Sequence, residues 1–151
     1  MRVATVENPL RLAVFISGSG SGMQALLNHQ SSKPCLHETT LVVSNIANAS
    51  GIGKAKTQNV KTITIELDSM ISGKEERREA HEISIMAALE EHDIEAVILS
   101  GYMRILSPFF VRAWKGRLLN IHPSLLPKYP GAHAHRDVIA AKETRSGCTV
   151  H

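Results

Sequence analysis

The sequence predicts an α/β protein built on a doubly wound, mostly parallel sheet. Three observations carry that expectation: short aliphatic or β-branched runs recur along the chain, helix-period segments separate them, and a glycine-rich turn directly follows the first run. Residues 12–16, 41–43, 62–65, 96–99 and 118–121 read as buried parallel strands. Between them, Ser21 with Gln24 and Ser72 with Glu75 have capping-box spacing and open helices over about 22–31 and 74–92. Ser107 before Pro108 is an N-cap with proline at the first helical position. Weaker helices are expected near 51–58 and 133–143, and residues 148–151 read as the start of a further strand. Repeated strand–helix–strand units cross over right-handed, and their ligands sit beyond the carboxyl ends of the strands. Chemistry is therefore expected in the loops after the strands.

Composition narrows the function classes. The chain has 151 residues, enough for one core and too few for two ordinary domains, so a single domain over 1–151 is expected. Lys and Arg number 17 against 14 Asp and Glu, without long like-charge runs, and aromatic residues make up 4%. Neither a polyanion-binding footprint nor a base-stacking surface is indicated, so no nucleic-acid partner is expected. Cys35 and Cys148 form no C-x-x-C pair, which argues against a disulfide framework or a thiolate zinc site. No run reaches the length of a membrane span and the start has no signal-peptide core, so a cytoplasmic protein without a membrane partner is expected.

Two clusters could carry chemistry. The first is Ser17-Gly18-Ser19-Gly20-Ser21-Gly22-Met23, between the first strand and the first helix. Glycines permit a tight turn, and the free N–H groups of a helix N-terminus can hold a phosphate. The spacing fits neither the P-loop nor the dinucleotide fingerprint, and the second strand runs into Ser44 and Asn45 rather than an acid. A flexible turn and a phosphate cradle for something other than a dinucleotide both remain open. The second cluster is Asn120-Ile121-His122-Pro123-Ser124-Leu125-Leu126-Pro127. Residues two apart on a strand share a face, so Asn120 and His122 project together, their attachment points about 6.6 Å apart. An amide and an imidazole so placed can stabilise an oxyanion and pass a proton, although a structural Asn beside an incidental His has the same spacing. Pro123, Pro127 and Pro130 stiffen the loop after this strand.

Three segments carry a resemblance to a known family. They are Ile16-Ser17-Gly18-Ser19-Gly20-Ser21, then Ser100-Gly101-Tyr102-Met103-Arg104-Ile105-Leu106-Ser107-Pro108, then the long run from Gly116 through Asn120-Ile121-His122-Pro123-Ser124-Leu125-Leu126-Pro127 to Lys128-Tyr129-Pro130-Gly131. In this order they closely resemble glycinamide ribonucleotide (phosphoribosylglycinamide) formyltransferases. The resemblance implies a Rossmann-like formyltransferase fold and, in purine biosynthesis, transfer of the formyl group of 10-formyltetrahydrofolate to the amine of glycinamide ribonucleotide. It further implies that Gly20, Ser21 and Gly22 hold the substrate phosphate and that Arg78, Met103, Arg104, Ile105 and Leu106 border the folate. Asn120 would contact the folate and the transferring carbonyl, and His122 would be the proton donor. The sequence departs from the family at Gly22, where Asn is usual.

The same resemblance places a family loop with a catalytic Asp, and the last strands of the fold, after the Gly147-Cys148-Thr149-Val150-His151 match, so the chain is expected to be a C-terminally truncated member. A catalytically impaired remnant that binds only phosphate or folate is the alternative, and formyltetrahydrofolate deformylase a second. Methionyl-tRNA formyltransferase, which shares the folate site, carries an extra RNA-binding domain. A homo-oligomer is left open. His133-x-His135 lacks evident companion ligands, and no metal is expected. Trp114 is read as packing under the helix after Pro108, and His81 is given no role.

Overall fold

A computed structural model describes residues 2–151, which fall into two compact units, one ending at Leu118 and one spanning Leu119–His151. The first unit contains β1 (Leu10–Ile16), α1 (Ser21–Ser32), β2 (His37–Ser44), α2 (Ser50–Thr57), β3 (Lys61–Thr64), α3 (Lys74–Glu91), β4 (Ala96–Ser100) and α4 (Pro108–Ala113). Its strands are parallel and lie in the order β3-β2-β1-β4. Among the described residues, no helix is long and apolar enough to cross a membrane.

Strand periodicity explains why helices cover both faces of this sheet. Ala13, Phe15, Leu41, Val43 and Val97 point to one side and pack with Ile85 and Leu89 of α3 and Phe110 of α4. The intervening Val14, Ile16 and Val42 point to the other side and pack with Met23 and Leu27 of α1 and Ala55 of α2. Central β1 is apolar at every position from Leu12 onward because both of its faces are buried. This is the doubly wound α/β class expected from the sequence. Trp114 also packs as expected: it is buried, its ring lies 6.4 Å from that of Phe110, and the Arg117 guanidinium sits 4.5 Å over it.

Strand order decides where a ligand can sit. The chain runs from β1 outward through β2 to β3, then crosses through α3 to β4 on the opposite side of β1. The loops after β1 and β4 therefore diverge, and a crevice opens at this switch point.

The helix starts differ from the capping-box expectation. Gly20, with φ 62°, flanks α1; Ser21 is already helical and the Gln24 amide bonds Asn28 instead. Gly73, rather than Ser72, flanks α3, and Glu75 pairs with Arg78. In both places a glycine directly before the helix takes the flanking position, at Gly20 because a left-handed residue is needed there. Ser107 does cap α4, its Oγ accepting from Phe110 N at 3.2 Å.

The second unit contains β5 (Leu118–His122) except its first residue, α5 (Ala134–Ala140) and β6 (Thr149–Val150). β6 pairs antiparallel with β5, Ile121 opposite Val150 and His122 opposite Thr149, so residues 149–150 do form a strand. β5 is less buried than expected. Leu119 and Ile121 are exposed while Leu118, Asn120 and His122 are half-buried, so alternation gives it one covered face, the one that carries the polar pair.

Candidate active site

The loops after β1 and β4 enclose a cavity of about 260 Å³ lined by residues 17–22 together with Ser100, Gly101 and Met103. Its walls are pinned together by Ser17. The Ser17 hydroxyl donates to Asn45 Oδ1 at the end of β2 (2.5 Å) and accepts from Met103 N (2.8 Å), so one side chain joins the ends of three strands. The glycine loop is braced from the α2 side, where Gly51 N donates to Gly18 O at 3.0 Å and Lys54 Nζ donates to Ser19 O at 2.8 Å. The loop is thus a fixed turn that leads into the N-terminus of the 12-residue α1, with a lysine at its rim. Backbone N–H groups and the helix dipole there suit an anion.

Side chains are excluded from parts of this cradle for steric reasons. A Cβ on Gly20 would lie 3.0 Å from Met23 Cε and 3.2 Å from Gly51 Cα, and the left-handed backbone there strains any other residue. At Gly22 a Cβ would lie 2.5 Å from Ser100 Oγ, so the Ser100 hydroxyl fills the space that a larger residue would enter.

The remaining residues of the first unit that were expected to border folate separate into two groups. Arg78, on α3, lines a second cavity of about 320 Å³ with Glu75, Glu82, Ser107, Pro108 and Phe109. Of the loop residues, Met103 and Ile105 are exposed, Arg104 is half-buried, and Leu106 packs onto the core beside Phe110. Leu106 is thus first an anchor for the loop. The other anchor is Glu82, itself buried, which accepts from Ser107 N at 2.7 Å and from the Ser107 hydroxyl. Neighbouring His81 donates from Nε2 to Ile65 O at 2.7 Å, and burial holds its pKa below the ordinary 6.5. Burial also pushes the Tyr102 phenol well above its usual range.

In the second unit, Asn120 and His122 lie two apart on β5, as the sequence requires. The Asn120 main chain exchanges both ladder hydrogen bonds with His151 (2.7 and 2.9 Å), and its Nδ2 donates to His151 Nε2 at 3.0 Å. His122 donates from Nε2 to Tyr129 O at 3.0 Å. Nδ1 is therefore the ring nitrogen that can exchange a proton without breaking that bond. The loop supplying Tyr129 O is held by Ser124, whose buried hydroxyl donates to Lys128 O (2.6 Å) and Tyr129 O (3.1 Å). Thr149 Oγ1 closes it by donating to Ser124 O (2.7 Å) and accepting from Leu126 N (3.0 Å).

With this geometry in place, comparison with known proteins is decisive. The family model for formyl transferases matches residues 10–151. The chain belongs to the formyl transferase family. It is 38% identical over 142 residues to the phosphoribosylglycinamide formyltransferase of Escherichia coli K12, covering 94% of this chain and 65% of that protein. It is 43% identical over 143 residues to the trifunctional purine biosynthetic protein adenosine-3 of Drosophila pseudoobscura, covering 93% of this chain and 10% of that protein. Among solved structures, the phosphoribosylglycinamide formyltransferase of Brucella melitensis superposes with a TM-score of 0.85 at 40% identity, covering 95% of this chain and 72% of that one. The chain thus spans about a tenth of the trifunctional relative and about two thirds of the single-function ones.

Within this formyl transferase chain, sequence reasoning located the glycine loop and the Asn120/His122 strand but missed their supports. Ser17, Lys54, Glu82, Ser124 and Thr149 act through partners between 4 and 86 residues away. The one local signal was Ser124, four residues before the carbonyl of Lys128 in a proline-punctuated loop.

Proposed function

We propose that this chain is a single formyltransferase domain that transfers the formyl group of 10-formyltetrahydrofolate to the amine of glycinamide ribonucleotide, the step expected of a phosphoribosylglycinamide formyltransferase in cytoplasmic purine biosynthesis. The observation that carries the reading is the glycine-lined crevice at the strand-order switch, in a chain that also places an amide and an imidazole on one face of β5. The reading assigns the substrate phosphate to the N–H groups of Gly20, Ser21 and Gly22, with Ser100 Oγ beside Gly22 as a further donor where the family usually has Asn. Arg78, a cation beside Ser107, suits a folate carboxylate, and exposed Met103 and Ile105 offer apolar contact to its rings, with Arg104 between them.

These groups define the chemistry. The substrate amine attacks the formyl carbon, and the carbonyl oxygen gains negative charge. Asn120 Nδ2–H and a protonated His122 stabilise that charge. The carbon–N10 bond then breaks, and the proton lost by the amine reaches N10 through the imidazole, with Nδ1 exchanging it while Nε2 stays on Tyr129 O.

Incubating the purified chain with both substrates tests the reading. Formylated glycinamide ribonucleotide is the expected product, and Asn120→Ala and His122→Ala are each expected to lower turnover by about 10² to 10³. Formate release independent of glycinamide ribonucleotide would instead indicate a deformylase. Ligand binding without either product would indicate a binding remnant.

A further inference from the structure

We propose that His29, Cys35 and His37 form a binding site for a zinc-class divalent cation, which ties the end of α1 to the start of β2. His29 lies in the last turn of α1, Cys35 in the connection and His37 at the first position of β2. The chain reverses direction here, and one ligand atom from each of the three side chains lies within 4.8 Å of the other two. The His29 and His37 rings are stacked, 12° from parallel with centroids 6.3 Å apart. His29 is exposed and the other two are half-buried, so a cation can enter and water can complete the coordination.

The donor set selects the metal. Two imidazole nitrogens and one thiolate suit zinc and similar borderline-soft ions, and not magnesium or calcium, which take oxygen ligands. Bonds of about 2.0 Å to nitrogen and 2.3 Å to sulfur put tetrahedral ligand atoms about 3.3–3.6 Å apart, so no pair of ligand atoms has to close by more than about 1.5 Å on binding. Cys35 now donates its S–H to Lys33 O at 3.4 Å; on binding, that proton leaves to solvent and a sulfur–metal bond forms.

Gln30 competes with the metal for His37. Its Oε1 accepts from Thr39 N at 3.2 Å, which orients the amide so that Nε2 donates to His37 Nδ1 at 2.8 Å. Whichever ring nitrogen ligates, this bond opposes the metal. Ligation through Nδ1 displaces the amide, and ligation through Nε2 needs a proton on Nδ1 facing the amide N–H. The site stands toward the far end of α1 from Gly20, His29 lying nine residues or about 14 Å along the helix, so the metal is no part of formyl transfer.

Cobalt(II) titration of chelator-treated protein reads the site directly. One cobalt per chain with a thiolate-to-metal charge-transfer band is expected, displaced by zinc. Cys35→Ser should abolish the band, and His29→Ala or His37→Ala should weaken binding at least about tenfold, as loss of a ligand does. Gln30→Ala should tighten binding. In the unsubstituted chain, zinc should slow alkylation of Cys35 and leave exposed Cys148 unaffected, a readout that does not depend on any variant folding. A band that survives Cys35→Ser, binding weakened by Gln30→Ala, or Cys35 alkylated equally fast with and without zinc would overturn the proposal.

Discussion

Residues 17–22, after β1, are pinned at one end by the Ser17 hydroxyl but shaped between Gly18 and Gly22 by main-chain closeness, whereas residues 123–130, after β5, are held throughout by side-chain hydroxyls. In the first loop the glycines allow backbone to approach backbone: a Cβ on Gly51 would meet Gly18 O at 3.0 Å and Ile16 Cδ1 at 2.6 Å. In the second, Ser124 and Thr149 satisfy carbonyls and an amide that the prolines leave without ladder partners. The reason lies in what each presents. On the proposed reading, the first loop exposes N–H groups to an anion and is damaged by adding atoms, whereas the second fixes the His122 ring and is damaged by removing them.

The largest effect that would test this contrast is expected at Gly20. Gly20→Val places a β-branched residue at φ 62° against Met23 and Gly51, which costs about 2–3 kcal/mol of stability and fills the cradle. Urea denaturation should show the loss, and calorimetry should show glycinamide ribonucleotide binding abolished. Gly18→Ala is the internal control. Nothing lies within 4 Å of its added Cβ, so stability should stay within about 0.5 kcal/mol. Equal losses at both positions would show that the loop is sensitive as a whole rather than at its left-handed residue.

Subtraction from the second loop should cost less stability and more turnover. Ser124→Ala removes a buried donor from Lys128 O and Tyr129 O, worth about 1–3 kcal/mol. Because Tyr129 O also accepts the hydrogen bond from His122 Nε2–H, kcat should fall with KM for glycinamide ribonucleotide unchanged. A raised KM with intact kcat would place Ser124 outside the support of the imidazole.

The smallest expected effect is a pH dependence outside both loops. His81 is held neutral by burial, with Arg104 opposing its protonation while the Ile65 carbonyl and Glu82 favour it. Its folded pKa is below the ordinary 6.5, so between the two values the unfolded chain binds more protons. Stability contributed by His81 is therefore present above about pH 6.5 and lost as pH falls below it. The melting temperature should decline on acidification from pH 7.5 to pH 5, less steeply in His81→Gln. Equal slopes would assign the decline to other groups.

What the sequence by itself determined was local and periodic. Each expected strand and helix is present, with ends displaced by a few residues, because alternation and helical spacing record which faces are buried. The glycine turn after β1 and the Asn120/His122 pair were legible for the same reason: a turn and a shared strand face depend on neighbours in the chain. The caps of α1 and α3, unlike that of α4, were misread because several residues can supply a flanking position, and only backbone conformation chose Gly20 and Gly73. Tertiary structure alone decided that Ser17 would join Asn45 to Met103, that Lys54 would reach Ser19, that Glu82 would hold Ser107, and that His29, Cys35 and His37 would meet. Such contacts depend on how helices pack across strands and where the chain reverses, and a polar side chain's partner has no period that the sequence can display.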